Sequence, residues 1–184
     1  MGLRKQVRHM TENEYAAILT QFTGQRLPRW DELPDLELYM DQVLSLMERY
    51  LSAFPGFDRR GLTASMVNNY VKLGVMPAPV KKKYTRVHLA HLLLICVLKG
   101  GFPIELIRNL VSSLDARDER ALYDRFCDEF EASLAHAAEE VAQDAGLAAL
   151  FRTALRAQAE QALALRLYAA AFPAESAPKK EKKK

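Results

Sequence analysis

Apolar residues in this chain recur every three or four positions, and Pro or Gly interrupts the recurrence at intervals. That spacing is typical of one face of an α-helix, whereas a half-buried strand would alternate apolar and polar residues. Because 49% of the 184 residues are hydrophobic, the chain has enough apolar side chains to bury a core. We therefore predict an all-α protein.

The first predicted helix follows from its cap. Thr11 and Glu14 have the spacing of a capping box, and apolar residues then share one face over about residues 12–22. Residues 27–34 contain two prolines, which interrupt the helix. Trp30 in this loop is expected to anchor it on the core.

The second predicted helix is longer. Asp35 is its expected N-cap, and the helix extends to about Phe54, where Pro55 stops it. Apolar residues from Leu36 and Tyr39 onward keep the spacing of three and four, which predicts a helix in the core.

A third helix is predicted between Thr63 and Leu73. Thr63 is its expected cap, and Gly74 suits a left-handed residue after its last turn. Residues 75–84 follow with two prolines and three consecutive lysines, which predict an exposed extended loop or a tight hairpin.

Thr85 is the predicted cap of a helix to about residue 98 that is apolar on nearly every side and therefore central. Residues 92–98 alone would also suit a buried strand, but the threonine cap and the stop at residues 99–101 favour a helix. Pro103 then lies near the start of a further helix.

From residue 116 onward the sequence is rich in alanine and acidic residues, and it carries two apolar stripes separated by residues 144–146. Two long amphipathic helices are predicted, in an antiparallel hairpin that packs on the preceding helices, on a second copy or around a small effector. Residues 174–184 lack large apolar residues and are expected to be a disordered tail.

Charge is distributed unevenly although the net charge is only +3. Residues 59–104 contain eight Lys or Arg and no Asp or Glu, and residues 179–184 add five lysines against one glutamate. The remainder carries 13 basic and 22 acidic residues. A cationic block on an acidic protein indicates a surface for a polyanion, although a solvated charged face is the alternative.

Residues 62–92 resemble the recognition half of a MerR-type winged helix-turn-helix. In that family a capped helix ends in Gly, a basic wing with Pro follows, and a Tyr leads into the next helix. The corresponding residues here are Thr63, Gly74, Pro77, Pro79, Lys81, Lys82, Lys83 and Tyr84. Residues 101–107 are similar to a later stretch of the family, so the likeness covers about residues 62–111.

The motifs at residues 27–34, 66–70 and 79–84 also resemble a bacterial domain of unknown function, family 1836, with a MerR-like fold. The resemblance implies a winged helix-turn-helix fold and DNA binding. The predicted organisation is an N-terminal helical extension (1–26), a MerR-like winged helix-turn-helix domain (27–114), a C-terminal helical hairpin for dimerisation or effector binding (115–173) and the lysine-rich tail (174–184).

The predicted recognition helix offers short polar side chains to base edges, because an α-helix fits the major groove. The candidates are Ser65, Asn68, Asn69 and Lys72. Asn forms two hydrogen bonds with adenine. The alternative is that Asn68 and Asn69 only face water, but two poor helix formers in mid-helix favour contact with DNA.

Cations beside this helix are expected to contact phosphates and to position it on the duplex. Tyr84 is either a donor to a phosphate or a core residue. The phosphate-contact candidates are Lys81, Lys82, Lys83, Tyr84 and Arg86, with Arg59 and Arg60 as possible extensions.

Enzymatic signatures are missing from the sequence. His88 and His91 share a helical face without a local third ligand, so a polar helix surface is favoured over a metal site. The two cysteines support neither a disulfide framework nor a zinc site. We expect no enzyme activity, cofactor or metal.

The leading hypothesis is a cytoplasmic transcriptional regulator that binds double-stranded DNA sequence-specifically as a homodimer, with a small-molecule effector possible at the C-terminal helices. The alternative is a protein-interaction adaptor with a repurposed winged-helix fold. A weaker one is nonspecific RNA or membrane-surface binding through residues 179–184. Membrane insertion is not expected, because the longest apolar run, residues 92–98, is too short to span a bilayer.

Overall fold

The computed structural model describes residues 10–52, 54, 61–113, 118–142 and 147–173. Within these ranges the secondary structure is helical apart from two isolated β-bridges, which confirms the all-α prediction. The predicted tail, the stop at Pro55, and Arg59 and Arg60 lie outside the described residues. The helices are α1 (Glu12–Thr23), α2 (Met40–Leu51), α3 (Ala64–Lys72), α4 (Arg86–Leu98), α5 (Ile104–Ser113), α6 (Glu119–Ala142) and α7 (Leu147–Ala171), with a 3-10 turn at Trp30–Glu32.

Helix α1 begins with the predicted capping box. The Thr11 hydroxyl accepts a hydrogen bond from the Glu14 backbone N–H at 3.2 Å, and the Glu14 carboxylate accepts one from the Thr11 backbone N–H at 2.9 Å. The Tyr15 hydroxyl donates to the Val141 carbonyl at 2.7 Å, so α1 packs along α6.

Helix α2 begins later than predicted. Its N-cap is Tyr39 and not Asp35, because Leu38 is held in an antiparallel bridge with Tyr84. Each of these residues donates its backbone N–H to the carbonyl of the other at 2.8 Å, and this pairing requires extended backbone. Leu36 and Tyr39 are 60% and 54% exposed, so their assignment to the core was wrong.

Helix α4 is the centre of the core, as predicted. Leu89, Leu92, Leu93 and Ile95 are fully buried, and α4 packs against α2, α5 and α6. Thr85 is its N-cap. The helical assignment excludes the buried strand considered for residues 92–98.

The loop that precedes the 3-10 turn is docked on α6 by buried polar contacts. The Tyr123 hydroxyl donates to the Pro28 carbonyl at 2.7 Å, and the Trp30 backbone N–H donates to the Asp124 carboxylate at 2.8 Å. Tyr123 and Cys127 belong to the same core cluster as α4. The first half of α6 therefore packs with the helices of residues 27–113.

Ion pairs surround this docked loop. The Arg29 guanidinium lies 2.6 Å from the Asp128 carboxylate and 2.8 Å from that of Glu131. Arg120 on α6 pairs with Asp31 in the 3-10 turn. Tyr123 is only 1% exposed, so water is excluded from its hydrogen bond to Pro28.

Helices α6 and α7 are the two long helices predicted after residue 116. Arg156 of α7 pairs with Glu140 of α6, and the Asn109 side chain of α5 donates to the Tyr168 hydroxyl at 2.8 Å. The N-terminal part of α7 therefore lies along α6, and its C-terminal part lies against α5. Among the described helices, none is long and apolar enough to cross a membrane.

Replacing Tyr123 by Phe is expected to lower the free energy of unfolding by about 1–3 kcal/mol, because the buried Pro28 carbonyl loses its strong donor. Urea denaturation measures the loss. Tyr39→Phe is the matched control. Because Tyr39 is 54% exposed, loss of its hydroxyl should change the free energy of unfolding little. Equal effects of the two substitutions would show that the Tyr123 contact does not hold the loop on α6.

Candidate nucleic-acid interface

Helix α3 begins and ends at the predicted signals. The Thr63 hydroxyl accepts a hydrogen bond from the Met66 backbone N–H at 3.3 Å. Gly74 follows the helix with φ of +67°, the left-handed conformation that glycine adopts without steric cost. The Val75 backbone N–H then donates to the Tyr70 carbonyl at 3.0 Å, which closes the last turn.

The polar candidates of α3 share one exposed face. Ser65, Asn68, Asn69 and Lys72 are spaced by three, four and seven residues, so they lie within about 100° around the helix axis. All four are exposed, and the structure gives their side chains no partner within the described residues. On the opposite side of the helix, the two buried residues of α3 pack into the core: Val67 and Tyr70.

A tight hairpin follows α3. Val80 and Lys83 form an antiparallel bridge in which the Lys83 backbone N–H donates to the Val80 carbonyl at 2.9 Å. Lys81 and Lys82 occupy the two central positions with φ of +50° and +63°. Positive φ at both positions is the signature of a type I′ turn. Of the two predicted alternatives, the tight hairpin is the one observed.

Two anchors fix the base of the hairpin. On its N-terminal side, Val75 and Met76 are 2% and 4% exposed in the core. On its C-terminal side, Tyr84 pairs with Leu38 through the backbone. Since both ends are held, the turn projects Lys81 and Lys82 as exposed side chains, for which no ion pair exists with any described residue.

Lys83 and Arg86 form hydrogen bonds to other residues of the protein. The Lys83 ammonium donates to the Glu37 carboxylate at 2.8 Å, and this hydrogen bond raises the pKa of Lys83. Arg86 donates to the Leu33 carbonyl at 3.1 Å, and its side chain is only 19% exposed. Its guanidinium carbon also lies 5.8 Å from the centroid of the Trp30 ring.

Tyr84 is a core residue, which is the second of its two predicted roles. It is 3% exposed, and burial raises the pKa of its hydroxyl. Its ring meets the His88 ring edge-on, with 5.4 Å between the centroids. The exposed surface near α3 therefore does not include Tyr84.

The acidic partners of this region were missed by the sequence analysis. Glu37 pairs with Lys83, and Asp35 lies 3.6 Å from the Arg86 guanidinium. Both carboxylates come from the extended segment before α2, more than 40 positions earlier in the chain. The unpaired cations of the described surface around α3 are thus Lys72, Lys81 and Lys82.

The prediction that His88 lies on a polar helix surface is wrong, because this residue is only 5% exposed. Its Nδ1 accepts a hydrogen bond from the Thr85 backbone N–H at 3.0 Å and so completes the cap of α4. Burial lowers the pKa of His88 and of the neighbouring His91. No group of three metal-binding side chains occurs in the described parts of the chain.

A family model described as a domain of unknown function (DUF1836) matches residues 28–126. The matched range begins at Pro28, includes the candidate interface and ends after Tyr123, so both partners of the buried hydrogen bond lie within it. No curated protein and no solved structure matches the chain.

The two histidines should make stability depend on pH. Because their folded-state pKa values lie below the ordinary value of about 6.5, the unfolded chain binds protons more readily as the pH falls through that value. The free energy of unfolding should therefore decrease from pH 7 to pH 5. Urea denaturation of the double variant His88→Gln/His91→Gln should show a smaller decrease, whereas the control His136→Gln, at a well-exposed position, should not. An undiminished decrease in the double variant would assign the dependence to other groups.

Proposed function

The chain belongs to the DUF1836 family, whose model matches more than half of its length, and we propose that it is a sequence-specific double-stranded DNA-binding protein acting as a transcriptional regulator. One observation carries the proposal: α3 exposes a continuous polar face, and the hairpin that follows it exposes two unpaired lysines. In this proposal α3 is the recognition helix and the hairpin is the wing of a MerR-like domain.

The dimensions and chemistry of α3 suit the major groove, which admits one α-helix. Asn68 and Asn69 are exposed in the middle of the helix, where Asn is a poor helix former. Their amides have no partner among the described residues, so both remain able to donate to and accept from a base edge. Ser65 and Lys72 extend the same face by one turn in each direction.

The turn of the wing supports a role beyond folding. A type I′ turn is normally occupied by Asn-Gly, because a residue with a Cβ is disfavoured at positive φ. At positive φ, Lys81 and Lys82 each destabilise the turn by on the order of 1 kcal/mol. In return, two ammonium groups lie at the tip of a fixed hairpin, where they are suited to neutralise phosphates beside the groove.

The number of free cations sets the expected salt dependence. With Lys72, Lys81 and Lys82 as the phosphate contacts of one protomer, the slope of log K against log salt is about −2.7. Affinity per protomer then falls roughly 40-fold between 50 and 200 mM salt. Lys83 and Arg86 are left out of this count because carboxylates already pair with them.

Helix α7 supports dimerisation with a second copy. It packs on the protein through Ala149, Arg156 and Tyr168, whereas Phe151 and Leu165 are 61% and 37% exposed. Phe151 lies about 200° around the helix from Ala149, so the exposed apolar stripe is separate from the packed face. Pairing two such stripes would bury them and present two recognition helices to successive half-sites.

Replacing Asn68 and Asn69 by Ala tests the recognition face. Fragments of genomic DNA selected by the wild-type chain should be bound by the double variant with at least a 30-fold smaller preference over random DNA, from about 1 kcal/mol or more for each Asn. Competition binding measures the preference, and the wild-type footprint should consist of two symmetric half-sites. Gln21→Ala, which removes an exposed amide from α1, is the control. If the double variant keeps the wild-type preference, α3 does not read bases and the adaptor hypothesis is favoured.

Replacing Lys81 by Asn and Lys82 by Gly tests the wing. The free energy of unfolding should rise by about 1–2 kcal/mol, because the introduced Asn and Gly tolerate positive φ. DNA affinity should fall to a similar extent on all sequences, and the salt slope should become shallower by about 1.8. Denaturation and fluorescence anisotropy measure the two effects. Lys83→Gln is the control, since its paired ammonium should contribute little to the slope. A slope unchanged by the wing substitutions would rule out phosphate contacts there.

A further inference from the structure

The C-terminal part of α7 and the neighbouring helix α5 enclose a cavity of about 410 Å³ that includes the end of α4. Leu110 and Leu167 are 38% and 62% exposed, so the cavity is reached from the surface. Its lining residues are all apolar or aromatic: Leu98, Phe102, Leu106, Leu110, Ala164, Leu167, Tyr168, Ala171 and Phe172.

Two hydrogen bonds join the walls of this cavity. The Gln161 side chain of α7 donates to the Gly101 carbonyl at the end of α4. About two turns further along α7, the Tyr168 hydroxyl accepts the hydrogen bond from Asn109 of α5. Protein interiors are close-packed, and an apolar space of this size between helices is within the range of small-molecule sites.

Tyr168 carries the one side-chain polar group among the residues that line the cavity. The Tyr168 hydroxyl accepts from Asn109, and no acceptor for its own proton exists among the described residues. None of the described residues that line the cavity is charged. A charged ligand would therefore lose its hydration without gaining a counterion, whereas a neutral ligand with one acceptor would satisfy the hydroxyl.

We propose that this cavity binds a neutral, mainly apolar small molecule that carries one hydrogen-bond acceptor, and that the acceptor receives the Tyr168 proton. The volume lies near the lower end of the range for ligand sites and suits a molecule of one or two fused rings. Residues 174–184 contain five lysines and no large apolar residue, so such a molecule fits the lining better than this segment does. The proposal goes beyond DNA binding and does not depend on it.

Three probes that share a naphthalene ring test the chemistry on the full chain: methyl 2-naphthoate, 2-methylnaphthalene and the 2-naphthoate anion at pH 8. Probe fluorescence should report binding of the ester. The hydrocarbon should bind about 2- to 10-fold more weakly, because it lacks the acceptor. The anion should bind at least about 10-fold more weakly, because its charge has no partner. Equal binding of ester and anion, or no binding of the ester, would overturn the proposal.

Two substitutions locate the site. Ala164→Leu fills the cavity and should abolish binding of the ester, whereas Ala159→Leu, an exposed position on α7 outside the lining, should leave binding unchanged. Tyr168→Phe keeps the cavity and should remove the preference for ester over hydrocarbon. This second variant decides the matter if Ala164→Leu fails to fold. Ester binding by Ala164→Leu equal to that of the wild type, or an unchanged preference in Tyr168→Phe, would contradict the assignment.

Discussion

The two backbone hydrogen bonds between Leu38 and Tyr84 determine the arrangement of the candidate interface. They keep Leu38 in extended backbone, so α2 begins only at Met40, and they hold the C-terminal side of the hairpin against the core. Because this base is fixed, a two-residue turn with both lysines at positive φ can persist although its local conformation is unfavourable. The backbone pairing of two distant residues thus supplies the rigidity on which the exposed lysines depend.

The sequence predicted those parts of the site that local chemistry determines. Thr63, Gly74 and the prolines after it define α3 and the hairpin without reference to the rest of the chain, and both were found where expected. The predicted start of α2 at Asp35 was wrong, because the spacing of apolar residues cannot reveal that Leu38 pairs with a residue 46 positions away. For the same reason the sequence identified Lys83 and Arg86 as cations but did not reveal that Glu37 and Asp35 pair with them.

Ion pairs with carboxylates also reduce the free positive charge of the cationic block at residues 59–104. Counted along the sequence, residues 59–104 form an uninterrupted cationic segment, yet two of its charges are balanced by carboxylates from before α2. The charges left unpaired at the described surface around α3 are those of Lys72 and of Lys81 and Lys82 in the hairpin. With so few free cations, the proposed complex with a duplex would depend more on contacts to base edges.

Helix α4 connects the two proposed sites directly. It begins immediately after the hairpin at Thr85 and ends at Leu98 in the wall of the cavity, about 20 Å away. A ligand that pressed on Leu98 would have to move a helix buried on nearly every side, and close packing resists such displacement. Helix α7 is largely exposed and is held to α5 and α4 by few polar contacts. A molecule bound at the proposed site would therefore shift α7, and with it the spacing of the protomers in the proposed dimer, more readily than it would shift the hairpin.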